Sequence, residues 1–111
     1  MYPKGYRQGD VYLLPVGSLP PQMSAVPRDP ARGVVLAYGE ATGHAHAVAS
    51  EHAHLFHRDE EGGGRYLSID GVAPVAVTHQ EHRSIKLPPG YYRVIRQREY
   101  TPGAVPRQVA D

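Results

Sequence analysis

"GDVYLLPV", residues 9–16, is the stretch whose reading decides the fold. At a period of two, Val11, Leu13 and Pro15 fall on one face, and Tyr12, Leu14 and Val16 on the other. Both faces are apolar. That pattern belongs to a strand covered on both sides, as in a closed barrel or a sandwich.

Working outward, the same short period recurs. "VVLAY" (34–38), "RYLSID" (65–70), "APVAVTH" (73–79), "IKL" (85–87) and "YYRVIRQREY" (91–100) all read as strands. Between them stand turns such as "GEATG" (39–43), the polar loop "RDEEGGG" (58–64) and the connector "QEHRS" (80–84). "GSLPPQMSAVPRDPARG" (17–33) carries four prolines and reads as a surface loop. Eleven prolines and twelve glycines in 111 residues leave little room for long helices, since proline breaks helix interiors. No segment sustains a 3.6-residue period. The expectation is an all-β chain, a small β-barrel or sandwich of roughly seven to nine short strands. It forms one β domain over residues 1–100, followed by a C-terminal tail, 101–111.

The net charge of +1 argues neither for nucleic acid nor for a membrane surface. No run approaches the roughly 20 apolar residues of a spanning helix. The first ten residues lack the apolar stretch of a secretory signal. The absence of cysteine excludes disulfides, thiolate metal sites and a cysteine nucleophile. These features are what a cytoplasmic protein would show.

Five of the seven histidines lie between Gly39 and His57. "HAHAVAS" (44–50) alternates, so His44, His46 and Val48 share a face, with small alanines opposite. Imidazoles two residues apart on a strand stand about 6.5–7 Å apart and can lean onto one ion. His44 and His46 therefore form a candidate two-ligand clip. His79 is the candidate third ligand, because the strand leading to it carries Val75 and Val77 on a core-like face; His82 is the alternative. Glu40, Glu51 and Glu81 are the nearby carboxylates. With no sulfur donors, zinc, iron, manganese and nickel all suit such a set as the divalent cofactor.

The central third resembles the cupins, which are small β-barrels. His44-x-His46 and Glu51 follow their first motif, although Gly39 precedes His44 by one residue fewer than that motif has and its late glycine is out of place; Pro74 with His79 follow their second. Ala76 stands where that second motif has glycine, and Arg83 where it has asparagine. The resemblance implies that His44, His46, Glu51 and His79 bind one divalent metal inside a barrel. The chain also resembles short uncharacterised bacterial and phage-encoded proteins in "RQGDVYLLPV", "GEATGHAH" and "LPPGYYRVIRQREYTP".

Elsewhere the readings are plainer. His52, His54 and His57 stand beside an acidic loop and read as solvated. Arg96, Arg98 and Tyr100 share a face of the last strand. That face suits an anionic small molecule or single-stranded nucleic acid, or else a solvated surface paired with acids such as Glu51 or Glu60. Three functions compete. The first is a metal-binding barrel, whether or not it is a metal-dependent enzyme. The second is a metal-free phosphodiesterase or nuclease-like enzyme, in which His44 or His46 acts as acid and base and Arg96 or Arg98 holds phosphate. The third is a tyrosine-rich interaction module, a homo-oligomer or an accessory protein of a phage or bacterium.

Overall fold

The computed structural model of the chain describes residues 5–39, 43–58 and 64–97. The proposed tail, the boundary at residue 100, and Arg98, Tyr100, Glu40 and Glu60 all lie outside the described residues. The described residues are all-β, with ten short strands among them: β1 (Tyr6–Gln8), β2 (Val11–Val16), β3 (Ser24–Ala25), β4 (Val34–Tyr38), β5 (Ala45–Val48), β6 (Ala53–His57), β7 (Arg65–Ile69), β8 (Val75–Val77), β9 (Ile85–Leu87) and β10 (Gly90–Arg96). No helix among the described residues is long and apolar enough to cross a membrane.

Six strands form one antiparallel sheet in the order β1-β2-β10-β7-β6-β3. The remaining four form the hairpins β4-β5 and β8-β9. Backbone bonds join the two hairpins where Ala47 and Thr78 exchange N–H and carbonyl groups, at 3.0 and 2.8 Å. Among the described residues no pairing links the edge strands β1 and β3, so the large sheet is open and no closed barrel is present. The strand count also exceeds the expected range. The extra strands come from β1, which the Gly9-Asp10 turn folds back onto β2, and from β3, inside the proline-rich loop. Ser24 and Ala25 in that loop pair with His57 and Phe56, so it borders β6 instead of hanging in solvent.

Strand alternation fixes the core. Val11 and Leu13 of β2, Leu55 of β6, Leu67 and Ile69 of β7, and Tyr92 and Val94 of β10 meet Val34 and Leu36 of β4, Val48 of β5, Val77 of β8 and Leu87 of β9. Both the large sheet and the hairpins thus feed one core. Each fully buried leucine or valine contributes about 1.5–3 kcal/mol by leaving water. The second face of β2 is only half-buried at Tyr12 and Leu14, so the two-sided burial read from "GDVYLLPV" is partial. It is complete in β5, where all four residues are buried. β5 is flanked by β4 and by the Ala47–Thr78 bridge, and its alanines allow close packing on the face opposite His46.

Candidate metal centre

Two details of the backbone build this corner of the molecule. The first hairpin turns through Gly9 and Asp10, between the paired residues Gln8 and Val11. Gly9 has φ of +59°. Glycine takes that conformation without steric cost, and it is the residue favoured at the first turn position of such a two-residue hairpin. Its bareness matters a second time, because a Cβ there would stand 2.6 Å from Nε2 of His82. The other detail is a register shift in β4 between Val35 and Ala37, opposite Ala47 and His46. Such bulges re-aim neighbouring side chains.

His46, His79 and His82 come together at this corner, each offering a donor nitrogen, all within 4.8 Å of one another. Their ring centroids lie 4.4 Å apart for His46 and His79, 4.3 Å for His79 and His82, and 5.6 Å for His46 and His82. Three histidines so placed can hold a metal ion. Bonds of 2.0–2.1 Å would draw the nitrogens to about 3.3 Å apart in a tetrahedral site, so the rings need only close inward.

His46 is the anchor of the three. Its side chain is 2 % exposed, and its Nδ1 lies 2.8 Å from Oε1 of Gln8. Gln8 is itself buried, and its Nε2 donates to the carbonyls of Val77 (2.9 Å) and Arg83 (3.0 Å). Those two donations fix which end of the amide is oxygen, since the flipped amide would set oxygen against two carbonyls. Nδ1 of His46 therefore carries the proton, and Nε2 presents its lone pair to the cluster. Burial, with the neighbouring His79 second, pushes His46 down to about 4, against the opposing pull of Asp10. The ring is neutral at physiological pH, as metal ligation requires.

His79 is held differently. Its Nδ1 accepts from the amides of Glu81 (3.1 Å) and His82 (3.4 Å). That local turn places His79 and His82, three residues apart in the β8–β9 connector, on one side.

Of the residues expected from sequence, His46, His79 and His82 are brought together. His44 stands just before β5 with its ring 5.6 Å from that of His79, edge to face. Its Nδ1 lies 3.2 Å from Oε1 of Glu81, and it is outside the trio of donors. The His-x-His clip is thus opened: residue 44 precedes the strand and turns to a carboxylate. Glu51 is exposed in the turn after β5 and is also outside the trio. Arg96 does not present an open ligand-binding face. Its Nε donates to Oδ2 of Asp10 at 3.0 Å, and its Nη2 donates to the carbonyl of Tyr38. His52 and His54 are not merely solvated. Nδ1 of His52 and Nε2 of His54 each lie 2.7 Å from one oxygen of Asp70, whose carboxyl these two bonds hold below its ordinary range.

Sequence reading missed Gln8 and Asp10. Gln8 stands between Arg7 and Gly9 and Asp10 follows, a polar stretch that reads as an ordinary turn and carries no distance information across the roughly forty residues to His46.

The family described as "Domain of unknown function (DUF8820)" matches residues 7–97, and the chain belongs to it. No curated protein and no solved structure matches the chain. Neither the open sheet nor the family match supports the cupin resemblance.

Proposed function

We propose that this domain is a divalent-metal protein whose ion is held by His46, His79 and His82. The observation that carries the reading is the trio itself: three imidazole donors within 4.8 Å of one another, drawn from β5 and the β8–β9 connector. The buried amide of Gln8 supports it by orienting the lone pair of His46. A hydrogen-bond partner on the far ring nitrogen is the usual support of a ligating histidine. An ion with three imidazole ligands keeps at least one position for water or an oxygen-bearing small molecule, which it can polarise. The donor set admits zinc, iron, manganese or nickel.

Metal analysis and zinc titration of purified, untagged protein test this. One equivalent of metal per chain is expected. His46→Ala should abolish binding while the far-ultraviolet spectrum stays that of a β protein. A wild type that takes up no metal, or a His46→Ala variant that binds as well as wild type, would refute the reading.

A further inference from the structure

The six-stranded sheet lays one face on the core and turns the other outward. Leu13, Leu55, Leu67 and Val94 belong to the core. Their strand neighbours Leu14, Phe56, Tyr66 and Arg93 therefore stand on the opposite face. Register sets these four in one row: Phe56 pairs with Tyr66, Tyr66 with Arg93, and Arg93 with Leu14. Tyr91, 40 % exposed, is two residues from Arg93 on the same face. A Cβ at Gly64 would lie 3.6 Å from the Tyr66 ring and 3.7 Å from Nε of Arg93, so ring and guanidinium border the same point. Arg93 is the unusual member of the row. Among the described residues it has no hydrogen-bond, ion-pair or ring partner. Arg96, by contrast, is bound by Asp10, and Arg28 by the carbonyls of Ala49, Ser50 and Ala53. None of the six strands contains an aspartate or a glutamate. The face thus offers aromatic rings around one uncommitted cation.

We propose that this face binds single-stranded nucleic acid, with bases stacked on Phe56, Tyr66 and Tyr91 and a phosphate held by Arg93. Every base has a flat face that an aromatic side chain can cover, whatever the sequence. A guanidinium holds phosphate through paired N–H donors. A duplex does not suit the face, because only unpaired bases can be splayed out onto aromatic rings. A second copy does not suit it either. A two-fold axis through the face would bring two unpaired guanidinium groups together, with no acid in the strands to meet them. The overall charge of +1 sets the character of the binding. Few phosphates are neutralised, so stacking carries most of the affinity and the salt dependence is shallow. None of these residues belongs to the histidine trio, and the face needs no ion to bind.

Fluorescence anisotropy with short labelled oligothymidine and oligouridine tests this, with far-ultraviolet spectra as the fold control. Wild type should bind at least one of the two at low salt, and the tighter of them tells DNA from RNA. Tyr91→Ala should weaken binding about fivefold or more. Arg93→Gln should lower the slope of log affinity against log salt by about 0.7, the share of one phosphate on a single strand, and Arg93→Lys should restore it. Lys86→Gln, which removes a cation from β9 outside the sheet, should change neither. The ring resonances of Phe56, Tyr66 and Tyr91 should move when oligomer is added to wild type, a readout that needs no variant to fold. Failure to bind either oligomer, tighter binding of a duplex of the same length, or equal losses in Lys86→Gln and Arg93→Gln would overturn the proposal. Ring resonances that move on concentrating the protein alone, and not with oligomer, would overturn it too and make the face a contact between copies.

Discussion

His46 shows how a single residue can be legible in type and obscure in role. Its place in a His-x-His pair on an alternating strand was visible in the sequence. Its true partners were not: Gln8 and Asp10 lie far away along the chain, and only the fold brings them to its two nitrogens. This burial has a measurable consequence in metal-free protein. The unfolded chain takes up a proton at this residue near 6.5, the folded chain only near about 4. Above 6.5 neither state is protonated there, and the neutral ring's contribution is fully present. As pH falls from 6.5 towards 4 the unfolded state binds the extra proton, so stability declines. The loss by pH 4 is roughly 3 kcal/mol. Urea unfolding of chelator-treated protein at steps across that window should show this fall, and His46→Asn should flatten it by about one proton's worth of slope. An unchanged slope in the variant would assign the effect to other groups. Sequence could not have given the direction, because an imidazole beside a carboxylate ordinarily gains affinity for protons. Here desolvation and two neighbouring imidazoles outweigh Asp10.

Most elements were legible because two-residue alternation is a local property. β4, β7, β8, β9 and most of β10 fall where "VVLAY", "RYLSID", "APVAVTH", "IKL" and "YYRVIRQREY" place them. The edge strand β3 was hidden by its prolines, since pairing with β6 is decided by what lies alongside it in space. The β8–β9 connector carries two of the three histidines: His79, read as the end of the strand "APVAVTH", and His82, named as its alternative, both lie beyond β8, which ends at Val77. Its turn also makes a prediction about loading. A neutral imidazole has one lone pair, and that of His79 is now shared by the amides of Glu81 and His82. If Nδ1 ligates the ion, the lone pair is taken; if Nε2 ligates, the ring proton must move to Nδ1. Either way both amides lose their acceptor. Hydrogen exchange at Glu81 and His82 should therefore quicken, or their amide resonances move, when zinc is added. The Ala47–Thr78 bridge should keep its protection. Zinc binding that leaves both amides undisturbed would place the ion elsewhere than on His79.

At the scale of the whole molecule, the candidate centre lies where the two parts of the fold meet. Gln8 and Asp10 belong to the first hairpin of the six-stranded sheet, His46 to the β4-β5 hairpin, and His79 and His82 to the connector of β8-β9. Gln8 already ties these pieces through the carbonyls of Val77 and Arg83. An ion held by His46, His79 and His82 binds the folded chain and not the unfolded one, so it must stabilise the whole domain. At free zinc about 100 times the dissociation constant the gain is about 2.7 kcal/mol. For a domain of this size that raises the melting temperature by roughly 10 °C or more. A second histidine cluster offers the control. His52 and His54 share Asp70 at one end of the β6–β7 pair, on exposed side chains outside the trio. Asp70→Asn removes that pairing and should leave the zinc-induced rise as large as in wild type, whereas His82→Ala should abolish most of it. The reverse pattern, a rise that survives His82→Ala and disappears with Asp70→Asn, would move the metal from the junction of the two parts to the surface pair on β6.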